Sequence, residues 1–194
     1  MANDSSTGGY LAPVQASPPL EDDELVAVFQ GLIVGLTGLD GSLVRPRWQP
    51  TVPKQPEPSV NWCAIGVTLT DPDANPVMRH NSVGQGSDSL LRHEILTVLA
   101  SFYGPNGMRY GAQARDGLYV GQNRAALYSN SMGLVNVGQI RTVPELINQQ
   151  WIRRYDLEIT IRRQVVRTYE VLNVLSAAGT VDSDPRTIPF SVSQ

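Results

Sequence analysis

Hydrophobic and polar residues alternate most cleanly in the stretch QQWIRRYDLEITIRRQVVRTYEV, from Gln149 to Val171. Its odd positions include Trp151, Tyr155, Leu157, Ile159, Ile161 and Val165; its even positions include Arg154, Asp156, Glu158, Thr160, Arg162 and Gln164. Between Tyr155 and Ile161 one set is wholly apolar and the other wholly polar, which is the period-two signature of a strand with one buried face. The expected strand occupies residues 151–163. About 11 extended residues reach roughly 36 Å, well above the usual strand length. A small core does not need so long a strand, so its charged side is a candidate contact with a second subunit. The residues on that side are Arg154, Asp156, Glu158 and Arg162. Their signs alternate, and arginine pairs bidentately with carboxylates. The plainer alternative is a solvated face, because antiparallel sheets commonly wet one side.

The rest of the chain shifts between periods. In SPPLEDDELVAVFQGLIVGLTGLDG, residues Leu25, Val28, Phe29, Leu32, Ile33 and Leu36 follow helical spacing. Ser17 or the prolines open this helix, acids fill its first turns, where the dipole favours them, and Gly38 and Gly41 stop it. Gly31 and Gly35 are expected to pack closely on its own sheet. SLVRPRWQP reads as a short edge strand because of Pro46, and TVPKQPEPSV as a loop. NWCAIGVTLT alternates, with Cys63, Ile65, Val67 and Leu69 on one side. DPDANP is a turn, VMRHNSVGQGSD a return strand or a loop, and LLRHEILTVLASFYG a strand ending in a turn. The glycine-broken segment 104–131 reads as one or two helices opened by Pro105, with Met108, Ala112, Leu118, Ala125 and Ala126 inward. GLVNVGQI is a short strand, TVPELINQQ a turn of helix, and RTYEVLNVLSAAG a strand pairing back on the long one.

The expected architecture is α+β: a mainly antiparallel sheet with helices on one face and extended N- and C-terminal arms. Residues 1–19 form the first arm, 20–181 a single domain and 182–194 the second arm. The arms lack a core-forming pattern and are expected to order on assembly. Tyr10, Leu11 and Val14 are the apolar residues with which the first arm would dock on a neighbour.

Composition narrows the function classes. The chain has 194 residues, 41% of them hydrophobic, and a net charge of −3, so nothing asks for a nucleic-acid or membrane partner. Lys54 is the only lysine among 15 basic residues, which fits either a GC-rich genome or an arginine-rich interface. Cys63 is single, which rules out an intramolecular disulfide and a Cys-based metal site. MANDSSTGGY does not read as a signal peptide, and no run approaches the ~20 apolar residues of a membrane span. Synthesis in the cytoplasm is the expectation. His93-Glu94 begins like a zinc-protease motif, but Thr97 stands where the second ligand belongs, and His80 and Cys63 have no spaced partners. GLTGLDGS lacks the Lys-Ser/Thr of a phosphate loop. Asp156 and Glu158 could act as paired carboxylates, but between Arg154 and Arg162 they read better as an ion-pair ladder. No catalytic residue, cofactor or metal is expected. The pattern points to a structural subunit.

Three stretches then carry a resemblance: VNWCAIGVTLTDPDANPVMRHN, LLRHEILTVLASFYGPNGMRYGAQARDGLYVGQNRAAL and RYDLEITIRRQV. From about Glu21 to Ala177 the chain resembles the phage neck terminator family, tail-terminator-like proteins of tailed bacteriophages. The resemblance implies a sheet flanked by helices and a homo-oligomeric ring, usually a hexamer, in the virion neck. Such a ring terminates the tail tube and joins it to the head connector. Its implied partners are copies of itself, tail tube or sheath proteins, connector or collar proteins, and genomic DNA passing through the lumen without sequence reading. Assembly would take place in the host cytoplasm. A connector adaptor or tail-completion protein would share these features. A small α+β enzyme or nucleic-acid-binding module is the other class left open.

Overall fold

Leu25, Phe29, Leu32, Ile33 and Leu36 form one buried stripe on helix α1 (Asp22–Thr37) in a computed structural model that describes residues 3–14, 18–51, 53–147, 149–184 and 186–193. Glu21 takes the N-cap position in extended conformation, and Asp22, Asp23 and Glu24 occupy the first turn, where negative charge meets the positive end of the dipole. Ser17 lies outside the described residues. Gly38 ends the helix at φ 70°, donating its N–H to Val34 at 2.8 Å, a left-handed cap that glycine adopts without strain.

Strands β1 (Val44–Pro46), β2 (Trp62–Pro72), β3 (Val77–Asn81) and β4 (Ser87–Tyr103) follow. Helices α2 (Gly107–Gly117) and α3 (Ala125–Tyr128) precede β5 (Met132–Thr142), β6 (Glu145–Ile147), β7 (Gln150–Ile152), β8 (Arg154–Tyr169), β9 (Ser176–Ser183) and β10 (Arg186–Ser193). The main sheet runs in the order β1-β2-β4-β8-β5, with β3 paired to β4. β1 is a parallel edge strand, while β2–β4, β3–β4 and β5–β8 are antiparallel. The fold is α+β, as expected.

The chain divides into two compact units. The larger comprises residues 19–74 and 92–165 and holds the main core. There the helices cover one face of the sheet: Phe29 and Ile33 of α1, with Leu118 and Leu127, join Ile65, Leu96, Val98, Phe102, Leu157, Ile159 and Ile161. The smaller comprises the described parts of 1–18, 75–91 and 166–194. It contains the β3–β4 pairing and the β9–β10 hairpin. Its N-terminal segment is tethered where Ser5 N–H donates to Glu170 (3.1 Å) and Val14 N–H to Thr168 (2.7 Å).

Several expectations change. The long strand begins at Arg154 rather than 151 and continues to Tyr169. Trp151 belongs instead to a separate β6–β7 hairpin, which replaces the expected turn of helix. Gln149 turns that hairpin at φ 63°, a left-handed conformation that a right-handed helical turn does not use. Residues 176–183 pair with 186–193 rather than with the long strand; Pro185 lies outside the described residues. Leu69 is exposed because a bulge between Val67 and Leu69 shifts the alternation. Met108, Ala125 and Ala126 face outward; α2 buries Gly107, Gly111 and Ala114 instead. A Cβ on Gly107 would lie 2.9 Å from the Tyr155 ring, so α2 presents its smallest side to the sheet. Gly31 and Gly35 are exposed, with open space where a Cβ would stand, and do not pack on the sheet.

The alternation of β8 is retained through Leu157, Ile159, Ile161, Arg163 and Val165, all buried. Leu157→Ala or Ile159→Ala is expected to cost about 2–5 kcal/mol in urea denaturation. A loss under about 0.5 kcal/mol at both positions, the range of surface substitutions, would mean that this face is assigned wrongly.

Candidate interaction surface

The sheet face turned away from the helices is built by the other parity of each strand. Trp62, Ala64 and Gly66 of β2 stand opposite Tyr103, Ser101 and Leu99 of β4. Trp62 and Tyr103 stack with ring centroids 4.2 Å apart and planes 6° apart, and the Arg45 guanidinium lies 6.0 Å from the Trp62 ring centroid. Gly66 is required here, because a Cβ would come within 3.0 Å of the Trp48 ring and 3.2 Å of Arg47. The chain after β1 therefore crosses this face closely enough to bring Arg47 to β4.

Arg47 begins a polar chain. Its Nη2 donates to the Ser101 hydroxyl, which donates to Asp156. Asp156 also accepts two bonds from Arg154, Nε to Oδ1 at 2.7 Å and Nη2 to Oδ2 at 2.8 Å. The remaining Arg154 nitrogen, Nη1, pairs with Glu145 of β6. Two cations and two anions thus alternate across the sheet, with the Arg154 and Asp156 side chains only 18% and 13% exposed. The bidentate carboxylate raises the Arg154 pKa above its ordinary value. Such a chain holds strands in place, since its carboxylates are occupied by donors rather than open to a substrate. Beside it, Trp48, Trp62, Tyr103, Pro46, Pro53 and Ile147 line an open trough of about 420 Å³.

Of the four residues proposed for the contact face, the structure therefore joins Arg154 to Asp156. Glu158 and Arg162 are exposed, with no side-chain partner among the described residues. In the N-terminal segment Tyr10 is 97% exposed, Val14 exposed and Leu11 half-buried. The sequence pattern did not single out Leu146 and Trp151, cross-strand neighbours in the β6–β7 hairpin that are 60% and 69% exposed. Aromatic residues presented this way are typical binding anchors.

The helix-side face ends in an ion pair. Arg163 donates from Nε to Glu94 at 2.7 Å and from Nη1 to the Leu20 carbonyl at 2.6 Å. Both side chains are nearly buried, so Glu94, which in sequence resembled half of a zinc motif, neutralises an arginine and helps tie the segment before α1 to the sheet. Cys63 is fully buried, and burial pushes its thiol pKa up, away from the reactive thiolate. Among the described residues, no three His, Cys, Asp or Glu side chains cluster as a metal site, and no helix is long and apolar enough to cross a membrane.

In the smaller unit, His80 lies between two oxygens, Nδ1 at 2.6 Å from Asp88 and Nε2 at 2.7 Å from Asn173 Oδ1. The Asn173 amide is oriented by donating to the Ser82 and Gly84 carbonyls. Both ring nitrogens therefore face acceptors, and the pKa of His80 is raised, first by Asp88 and then by Asn173. A raised folded-state value means that this stabilisation is fully present below the unfolded value of about 6.5 and is lost as pH rises through the folded value. An NMR titration should find His80 protonated above pH 6.5, with Asn173→Ala lowering its midpoint; an unchanged midpoint would contradict the pairing. For the buried pair, Arg163→Met should cost about 3–5 kcal/mol by stranding Glu94. Glu94→Gln with Arg163→Met should cost less than that single change in the same urea titration.

No curated protein matches this sequence. A family model described as "Phage neck terminator protein" matches residues 23–184, which takes in the α1-to-β8 core and all of β9. That match and the α+β architecture agree with the resemblance of the three quoted stretches, and the chain belongs to the phage neck terminator protein family.

Proposed function

We propose that this phage neck protein closes into a ring, expected to be a hexamer, that ends the tail tube and joins it to the head connector. Family membership supports a structural place in the virion neck. The observation that carries the ring reading is the division of labour on the charged side of β8. Arg154 and Asp156 satisfy each other within the chain, whereas Glu158 and Arg162 are exposed. Four residues apart on an extended strand, those two are separated by about 13 Å, too far for a direct bond. Each is placed to meet an opposite charge on the next copy. A ring is built by repeating one heterologous contact until it closes.

The N-terminal segment, with Tyr10, Leu11 and Val14, reaches in this reading to an adjacent tail or connector protein. Genomic DNA passes through the lumen without being read. A net charge of −3 suits that passage, because tight phosphate binding needs clustered positive charge. Assembly takes place in the host cytoplasm.

Native mass spectrometry of the purified protein should give one closed ring species, and electron microscopy of the particle should place it between connector and tail tube. Monomers at all concentrations would rule out the ring. Glu158→Arg and Arg162→Glu, made separately, should each leave stability within roughly 0.5 kcal/mol while costing several kcal/mol of association. Normal rings from both variants would remove this face from the contact.

A further inference from the structure

The hairpin β9–β10 presents an uncovered apolar face. Its register pairs Ala177 with Val192, Gly179 with Phe190 and Val181 with Ile188, and residues paired in this way point to the same side. The Phe190 ring lies over Gly179, where a Cβ would come within 3.0 Å of it. Even so, Phe190, Ile188, Val181 and Val192 remain 48%, 47%, 56% and 65% exposed. A two-stranded hairpin is marginal in water on its own, and this one leaves its large apolar side chains half in solvent. Of the eight paired residues on that side, only Arg186, beside the turn, is charged.

A matching surface exists elsewhere on the same chain. Between α1 and α3 lies an open groove of about 590 Å³ with Val28, Gly31, Leu32, Gly35, Leu36 and Ala126 among its lining residues. Gly31 and Gly35 leave its floor without side chains, so an aromatic ring can approach the helix backbone. Its rim is neutral, formed by Gln122, Asn123 and Asn130. The trough on the other sheet face is a poorer fit, since Arg45 and Glu145 line it and an apolar knob would desolvate both charges.

We infer that the β9–β10 hairpin of one copy docks, Phe190 foremost, into the α1–α3 groove of the next copy. Two different complementary surfaces on one chain are what a heterologous, closing contact requires. The inference rests on the ring reading and names surfaces for it. It also accounts for the outward-facing glycines of α1. Glycine inside a helix is unfavourable, and among the described residues nothing lies within 4 Å of where a Cβ on either would stand.

Two disabling variants test the contact. Phe190→Asp spoils the knob, and Gly31→Leu, whose Cβ has open space within 4 Å, fills the groove. Each should remain folded by circular dichroism and should weaken association by about 30-fold or more, as loss of a central anchor does. Mixed together, they should recover one junction, the Gly31→Leu hairpin in the Phe190→Asp groove, and give a heterodimer that cannot close. A chain with Phe190→Cys and Gly35→Cys should form covalent multimers on oxidation, with the buried Cys63 left unreacted. Cross-linked monomers would overturn the inference by placing the hairpin on its own chain. Rings that persist in both disabling variants would overturn it while leaving the ring reading intact. A wild type that never forms rings would overturn both.

Discussion

One strand has to satisfy two opposite environments, and the larger unit is arranged around it. β8 sits between β4 and β5. Its odd residues fill the core under the helices, and its even residues face away. A slip of one residue would exchange the two sets, burying Glu158 and Arg162 and exposing Leu157, Ile159 and Ile161. Its register with β5 is therefore fixed by burial as well as by backbone hydrogen bonds.

At both ends of that alternation a charge enters partly buried ground, and each time a neighbouring strand supplies the answer. Arg163 continues the buried parity where an apolar residue would be expected; Glu94 of β4 and the Leu20 carbonyl compensate it. Asp156 on the opposite face is compensated by Arg154 and Ser101. Buried pairs of this kind add little net stability over an apolar pair, but breaking one partner is costly. In this fold they tie particular elements together: the segment before α1 to the sheet, and β6 to β8.

The parts that satisfy the chain internally differ from those left over. The core, the two ion-pair groups and the Asn173 pin all find partners within one copy. Among the described residues Glu158 and Arg162 have no such side-chain partner, and Trp151, the large apolar residues of β9–β10 and the groove beside Gly31 are open. For a member of a neck protein family, such residues suit contacts with other subunits, since contiguous exposed apolar patches mark interaction surfaces.

Local sequence by itself determined the amphipathic face of α1 and the parity of β8, because side-chain direction repeats every 3.6 or 2 residues. Residue type added the acidic start of α1, its Gly38 stop and the edge role of β1 at Pro46, and together these gave the α+β class. The three quoted stretches were also enough to point to the family. Only the tertiary structure decided what depends on residues distant in sequence. It paired Arg154 with Asp156 while leaving Glu158 and Arg162 outside, and it gave Glu94 to Arg163 across 69 positions. It turned 145–152 into a hairpin, paired the tail with itself, and set the small face of α2 inward because the Tyr155 and Phe102 rings already filled the space. Gly31 and Gly35 show the limit most directly. Their spacing says that a backbone can be approached closely, but which surface approaches depends on partners that no local pattern encodes.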